Sequence, residues 1–279
     1  MNGETNELGL RVATAALGGA LLLALVIYGG WPGIFFVTAA LSLAMTYEFA
    51  SIVFKLPDLA EKRVFLMTLV VFIDLMAVLS PTSEIGTAVF CFLVIFTYFL
   101  FTATRYSVPG GADFSTHFKE LMYSFFGLVY LAYLPLFLPR IHKGLEGVNW
   151  TLLFLLIVWC SDTGAYFAGK RFGTRKLYPL ISPKKTIEGA VGAFAAAWGV
   201  AALCKLTFFH ELTWMAVLVI PLVVGGVSQI GDLCESFLKR AFEKKDSGQI
   251  LPGHGGFLDR FDGVVFSLPI MYACIRVFG

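Results

Sequence analysis

Apolar residues occur along the chain in runs of about 20, and short segments between the runs contain most of the charged side chains. A helix of about 20 apolar residues is long enough to span the hydrocarbon core of a bilayer. The runs predict nine membrane-spanning helices, at roughly 12–30, 33–54, 64–80, 85–104, 121–139, 149–169, 187–208, 213–233 and 257–278. The pattern therefore predicts an all-α polytopic membrane protein.

The composition agrees with this interpretation. Hydrophobic residues make up 58% of the 279 positions and charged residues only 14%, which is far from the composition of a soluble domain. The formal net charge is only +2, so the total gives no reason to expect a nucleic-acid partner. The partner that the composition predicts is the lipid bilayer.

The distribution of Lys and Arg between the runs predicts the orientation of the helices. If the N-terminus lies in the cytoplasm and nine helices follow, sixteen of the 21 basic residues fall in cytoplasmic segments. Only Arg140, Lys143, Lys205 and Arg276 fall outside, and Arg260 lies at the inner edge of the last helix. The positive-inside rule then places the N-terminus in the cytoplasm and the C-terminus outside.

Polar sequence is unevenly distributed between the two halves of the chain. Up to residue 145 the connections are short and chemically plain, which predicts a structural, lipid-facing or dimer-forming region of five helices at 1–145. Three polar blocks interrupt the apolar runs after residue 158, all on the predicted cytoplasmic side. The region 146–279 is therefore predicted to be catalytic.

The first block begins with Asp162 inside an apolar run, where a carboxylate needs a cation, a proton or a strong donor. Further on, Ser182 and Pro183 form a helix-start pattern, which would place Lys184, Lys185 and Thr186 in the first turn. Lysines there oppose the helix dipole unless they bind an anion such as a polyphosphate together with the free N–H groups. The alternative is attraction to anionic lipid headgroups, which is favoured for Lys170 to Lys176.

The second block contains Asp232, Glu235, Ser236 and Lys239, which share one face of a continuing helix. Two acids beside a hydroxyl suit a hard cation. An ordinary i,i+4 ion pair between Glu235 and Lys239 is the alternative, and it accounts for Glu235 but not for Asp232.

The third block places Gly253, Gly255 and Gly256 around His254, a run whose N–H groups can form an anion-binding nest. Asp259 and Asp262 follow on one face of the next helix turn. Acids also suit a helix start, but two of them with an arginine and a glycine-rich loop favour a site. Together the blocks predict an Mg²⁺-dependent enzyme that acts on a nucleotide or phospholipid at the inner membrane surface.

The segment SFLKRAFEKKDSGQILPGHGGFLDRFD, residues 236–262, resembles the signature of the phosphatidate cytidylyltransferases, and SDTGAYFAGKRFG and SPKKTIEG are similar to that family too. The resemblance implies that CTP and phosphatidic acid give CDP-diacylglycerol and pyrophosphate with Mg²⁺. It also implies a homodimer, and K⁺ as a candidate monovalent cation. The protein would then lie in a bacterial inner membrane with its site facing the cytoplasm.

The resemblance also implies roles for individual residues. The expected metal ligands are Asp232 and Asp259, with Asp162 and Asp262 as further candidates. The other expected catalytic residues are Lys239, Arg260 and His254, and the expected substrate-binding residues are Ser182, Lys184, Lys185, Thr186, Arg240, Lys245, Gly255 and Gly256.

Two other functions remain as alternatives. A CTP-dependent kinase of polyprenol or phytol lipids would use similar substrates, but the complete run from Lys239 to Asp262 argues against it. A membrane transporter would be expected to place its polar sites near the bilayer midplane between internal repeats, and no repeat is visible in the sequence.

Overall fold

The structure is a computed structural model, and it describes residues 18–55, 57–103, 114–248, 250 and 255–279. Its helices are α1 (Gly18–Tyr28), α2 (Gly30–Val53), α3 (Leu59–Leu79), α4 (Glu84–Thr102), α5 (Phe114–Leu128), α6 (Phe137–Lys143), α7 (Gly147–Phe172), α8 (Ile187–Thr207), α9 (Trp214–Ala241) and α10 (Leu258–Phe278), with a π-helical turn at Val129–Tyr133. Two short strands, β1 (Lys176–Tyr178) and β2 (Ser182–Thr186), form an antiparallel hairpin between α7 and α8.

Seven segments of the described chain are long and apolar enough to cross a membrane: α2, α4, α7, α8, α9, α10 and the stretch Phe114–Lys143, which includes α5 and α6. The span predicted at 64–80 lies in α3, which has 21 residues but also contains Lys62, Arg63 and Asp74. The span predicted at 12–30 is described only from Gly18 onward, as α1. An all-α polytopic membrane protein is confirmed, whereas the number of nine spans and the orientation of the termini stay predictions.

The chain divides into two compact units, and the first contains Phe137–Gly279 together with the described residues up to Thr38. Its apolar core contains fully buried side chains of α7, including Phe154 and Ile157. Trp150, also on α7, packs edge-on against Phe209, with ring centroids 4.7 Å apart. This core holds α8 together with α7, α9 and α10, the three helices on which the predicted carboxylate ligands lie.

Helices α7 and α8 pack with their backbones in contact. A Cβ atom on Gly164 of α7 would lie 2.6 Å from the carbonyl oxygen of Gly192 of α8, and one on Gly189 would lie 2.9 Å from the carbonyl oxygen of Ala165. Glycine is needed here because no side chain fits between the helices. The close contact fixes the two helix ends from which the hairpin projects.

The hairpin corrects one prediction. The sequence predicted a helix that begins at Ser182, but Ser182–Thr186 is strand β2, and α8 begins at Ile187. Thr186 is the N-cap, because its backbone is extended and its Oγ1 accepts a hydrogen bond from the N–H of Gly189 at 3.1 Å. Lys184 and Lys185 therefore lie on a strand and not in a first helical turn.

The second unit, Ala39–Leu136, has its own core and contains a buried ion pair. The Nζ of Lys62 on α3 lies 2.6 Å from the Oε2 of Glu120 on α5, and both side chains are buried. His117 of α5 contacts the carbonyl oxygen of Phe99 of α4 at 2.8 Å through Nε2. Charged and polar groups thus link α3, α4 and α5. The structural, lipid-facing or dimer-forming role predicted for 1–145 stays a prediction.

Candidate active site

Helices α9 and α10 cross at two glycines. A Cβ atom on Gly231 would lie 2.6 Å from the Cβ of Phe266, and one on Gly263 would lie 2.6 Å from the Oγ of Ser228. Only hydrogen atoms fit at this crossing, so the two backbones approach closely. Asp232 follows the first glycine and Asp262 precedes the second, so the crossing brings these two carboxyl groups from different helices within electrostatic range of each other.

One lysine next to this crossing contacts one carboxyl group and interacts electrostatically with two more. The Nζ of Lys185 on β2 lies 2.6 Å from the Oδ2 of Asp232. Asp162 on α7 and Asp262 on α10 each interact electrostatically with both members of this pair. We call these four residues the carboxylate cluster. The Lys185 and Asp232 side chains are 25% and 40% exposed, so a ligand from solvent can reach them.

The chemistry of the carboxylate cluster fits a divalent cation. Carboxylate oxygens are ligands of Mg²⁺, and three carboxyl groups outnumber the single ammonium group. Within the described ranges, no three Asp, Glu, His or Cys side chains are arranged so that they alone could hold a metal ion. Because Mg²⁺ usually takes only one or two carboxylates and shares the oxygens of substrate phosphates, the cluster fits a metal that is held jointly with substrate.

A second group of charged residues lies further along α9. The Nζ of Lys239 lies 2.8 Å from the Oε2 of Glu235 and 2.5 Å from the Oδ1 of Asp259 on α10. We call these three residues the lysine cluster. The pair between Glu235 and Lys239 confirms the i,i+4 alternative from the sequence. The contact with Asp259 goes beyond that alternative, because it ties the start of α10 to the end of α9.

Asp259 also holds the loop before α10. Its Oδ2 accepts hydrogen bonds from the backbone N–H of Ser247 at 3.0 Å, from the Oγ of Ser247 at 2.9 Å and from the N–H of Gly256 at 3.2 Å. Gly255 has a φ of +85°, which favours glycine. The Gly256 N–H thus bonds to a carboxylate of the protein. His254 and Gly253, the other members of the predicted anion nest, lie outside the described residues.

Glu235 is the buried member of the lysine cluster, and the sequence analysis explained it by its ion pair with Lys239. The residue is 2% exposed, and its Oε1 has no hydrogen-bond partner in the part of the chain that the structure describes. It adjoins the carboxyl group of Asp259 and interacts electrostatically with Asp262. Two carboxyl groups this close repel each other unless a proton or a cation separates them. Its neighbours in sequence, Cys234 and Ser236, gave no signal of this contact.

The predicted metal ligands therefore fall into two groups. Asp232 lies with Asp162 and Asp262, whereas Asp259 binds Lys239 and the backbone of the loop. Of the other predicted site residues, Lys184, Arg240, Lys245 and Arg260 are exposed, Ser182 is partly buried, and Thr186 is buried in its capping position.

The sequence matches known proteins over most of its length. A sequence profile described as the Cytidylyltransferase family matches residues 9–278. The phosphatidate cytidylyltransferase of Bacillus subtilis (strain 168) is 32% identical over 282 aligned residues, which cover 96% of this chain and 98% of that relative. The phosphatidate cytidylyltransferase of Staphylococcus aureus (strain COL) is 48% identical over 128 residues, 45% of this chain and 48% of that relative. The chain belongs to the Cytidylyltransferase family.

Proposed function

We propose that this chain catalyses the phosphatidate cytidylyltransferase reaction, in which CTP and phosphatidate give CDP-diacylglycerol and pyrophosphate. The relative from Bacillus subtilis, whose name states this activity, aligns with 96% of the chain. The structural observation that carries the proposal is the carboxylate cluster, in which Asp232 pairs with Lys185 beside two further acids on membrane-crossing helices. Such a set suits the phosphates of a nucleotide with a divalent cation.

The chemistry of this reaction matches the charges of the cluster. A phosphate oxygen of phosphatidate attacks the α-phosphorus of CTP, and the bond to the β-phosphate oxygen breaks to release pyrophosphate. A phosphomonoester is mostly doubly ionised at neutral pH because its second pKa is near 6, so no strong general base is needed. The main obstacle is repulsion between two anions, which cationic groups must neutralise.

Mg²⁺ is the cation that we propose for this task. Asp232 would hold it, with Asp162 and Asp262 as the neighbouring carboxyl groups. When bound, the ion would neutralise phosphate charge and orient the substrate. Asp259 could join only after its contacts with Lys239 and Ser247 rearranged, so its pairing with Asp232 as a metal ligand stays a prediction. A K⁺ ion beside Mg²⁺ also stays a prediction.

The two buried or partly buried lysines have different tasks in this proposal. Lys185 is reachable from solvent and forms an ion pair with Asp232 in the carboxylate cluster, so its ammonium can turn to a substrate phosphate. Lys239 is held between Glu235 and Asp259 and is less exposed, so it orients the start of α10. Lys185 therefore binds substrate, and Lys239 positions the loop and helix that surround it.

A product-mass measurement tests the proposed reaction. Purified protein is incubated with CTP, Mg²⁺ and phosphatidate, and the lipid product is weighed by mass spectrometry. We expect phosphatidate to gain a whole cytidylyl group. A single phosphate added to a polyprenol or phytol would instead identify a lipid kinase, and flux of a solute into vesicles without a new lipid would identify a transporter.

Substitution of Asp232 tests the site within that assay. Asp232→Asn keeps the shape of the side chain and removes its charge, so we expect turnover to fall by about 10²-fold or more. Glu211→Gln is the matched control, because Glu211 is an exposed acid in the connection between α8 and α9, outside both clusters. Turnover of Asp232→Asn within twofold of that control would show that the carboxylate cluster is not the active site.

We also propose that the site opens to the cytoplasm of a bacterial inner membrane. The basic residues concentrate in segments on one side of the predicted spans, and the named relatives are bacterial. A membrane-impermeant amine reagent should therefore label the exposed Lys184 and Lys245 in inverted vesicles and not in right-side-out ones. The homodimer implied by the family resemblance is tested by measuring the mass of the detergent-solubilised protein.

A further inference from the structure

The turn of the β1–β2 hairpin exposes an apolar side chain among cations. Leu180 in the turn is 85% exposed, and the neighbouring Tyr178 and Pro179 are exposed too. Every charged residue between positions 170 and 186 is basic: Lys170, Arg171, Arg175, Lys176, Lys184 and Lys185. Leu180 belongs neither to the core of the first unit nor to the two charged clusters.

The base of the hairpin is fastened to the start of α8. The carboxylate of Glu188 accepts hydrogen bonds from the Oγ1 of Thr174 at 2.7 Å and from the N–H of Arg175 at 3.2 Å. The N–H of Ile187 donates to the carbonyl oxygen of Arg175 at 3.0 Å. The turn is therefore held at a fixed position relative to α7 and α8 and is not a freely moving loop.

The position of this base places the turn close to the membrane surface. The hairpin begins where α7 ends at Phe172 and returns where α8 begins at Ile187, and both helices are long and apolar enough to cross the membrane. Six extended residues, 173–178, reach at most about 20 Å. The turn therefore cannot move far from the headgroup layer, which flanks the hydrocarbon core.

The two strand faces separate the basic side chains. Successive side chains of a strand point to opposite faces, and Lys185 contacts Asp232 while its neighbour Lys184 is exposed. Lys176 and Arg175 at the start of the other strand are exposed as well. Lys185 therefore belongs to the carboxylate cluster, whereas the exposed cations near the turn are available to another anionic partner.

We propose that the hairpin turn inserts Leu180 into the anionic headgroup layer of the membrane that α7 and α8 cross, while its exposed lysines and arginines bind the lipid phosphates. An apolar side chain with basic neighbours is the combination that binds an anionic interface, because the apolar group leaves water and the cations remain near the phosphates. This contact does not depend on the proposed reaction. It would hold the hairpin, whose strand β2 carries Lys185 of the carboxylate cluster, next to anionic lipid.

Hydrogen exchange on the full chain tests the proposal without an activity measurement. The protein is placed in nanodiscs of phosphatidylcholine alone and in nanodiscs in which a third of the lipid is phosphatidylglycerol. We expect the peptide that contains residues 176–184 to exchange about fivefold more slowly in the anionic discs, and this protection to weaken as salt rises. Equal exchange in the two kinds of disc would overturn the proposal.

Three variants sharpen this experiment. Leu180→Glu should lose the protection, and Leu180→Met, which keeps the apolar side chain, should retain it. Leu145→Glu is the matched control, because Leu145 is 92% exposed in the connection between α6 and α7, outside the hairpin, and the protection should be unchanged. Protection that survives in Leu180→Glu would contradict insertion of this side chain.

A second experiment, with nucleotide, distinguishes binding of the turn to the lipid surface from binding of the turn to the substrate CTP. CTP with Mg²⁺ is added to the wild-type protein in uncharged micelles, and the amides of the turn itself, residues 178–181, are followed, because β2 carries predicted substrate-binding residues. We expect no protection of residues 178–181 under these conditions. If CTP slows exchange of residues 178–181 and phosphatidylglycerol does not, the turn belongs to the nucleotide site and the membrane proposal is wrong.

Discussion

The crossing of α9 and α10 allows a quantitative test of the site. Replacement of Gly231 by alanine adds a Cβ atom 2.6 Å from the Cβ of Phe266 and 3.0 Å from the carbonyl oxygen of Asp262. The first distance is about 0.8 Å short of the 3.4 Å at which ordinary contact begins. Neither neighbour is the flexible end of a side chain, so the helices must separate by a comparable distance. Asp232 and Asp262 move apart with them.

The expected effect on catalysis is larger than the effect on stability. A misplacement of about 1 Å in a catalytic group can lower the rate by about 10²-fold, so we expect kcat/KM for cytidylyl transfer to fall by about 10- to 100-fold in Gly231→Ala. Overpacking costs about 1–3 kcal/mol, and the better helix propensity of alanine offsets about 1 kcal/mol of it. The thermal unfolding midpoint in micelles should therefore change by only a few degrees.

Gly226→Ala provides the matched control on the same helix. A Cβ atom there would lie 3.7 Å from the ring of Phe194, which is an ordinary contact. We expect this variant to keep kcat/KM within about twofold of wild type and to be as stable or slightly more stable. If Gly231→Ala is as active as Gly226→Ala, the close crossing does not position the carboxyl groups.

Further predictions concern buried charges. Glu235→Gln keeps an oxygen for Lys239 and should retain activity within about threefold. Glu235→Leu leaves Lys239 with Asp259 as its one partner, so kcat should fall by about tenfold. Equal activity of the two variants in the product-mass assay would exclude a polar role for the Glu235 side chain. Lys62→Met leaves the buried Glu120 without its ammonium partner and should cost about 3–5 kcal/mol of stability. Adding Glu120→Gln should restore most of the thermal midpoint, and a double variant no more stable than the single one would contradict this explanation.

The sequence predicted those features that depend on local periodicity. Apolar runs of the length of a membrane span gave the positions of α7, α8, α9 and α10 to within a few residues, except that α9 continues to Ala241. The i,i+4 spacing gave the pair between Glu235 and Lys239, which lies on that continuation. These features were predictable because each is determined by residues that follow one another within a single helix.

The start of α8 could not be decided from local sequence. Ser182 before Pro183 and Thr186 before Glu188 are both reasonable helix starts by residue type. The helix starts after Thr186 because of contacts with residues earlier in the chain: Glu188 bonds to Thr174, and Thr186 packs against Gly169. A helix from Ser182 would lose both contacts, and no short sequence window contains this information.

The division of the carboxyl groups also depends on tertiary contacts. Asp259 and Asp262 were expected on one face of α10 because they are three residues apart. In the structure Asp259 binds Lys239 and Ser247, while Asp262 interacts with Asp232 and Lys185. The division follows from the position at which α9 meets α10, which is fixed by glycine contacts between residues distant in sequence. Spacing along one helix cannot predict such a division.

The carboxylate cluster explains why so close a crossing is useful in this membrane protein. Asp162, Asp232 and Asp262 lie on three helices, and their carboxyl groups repel one another. Glycine contacts pack α7 on α8 and α9 on α10, and this packing prevents the carboxyl groups from moving apart. Lys185 alone leaves the cluster with more acids than cations. A divalent cation that arrives with a nucleotide would correct this imbalance and free the Lys185 ammonium for a phosphate oxygen. The same packing that forces the acids together would thus also produce the affinity for a cation-bound phosphate that we propose.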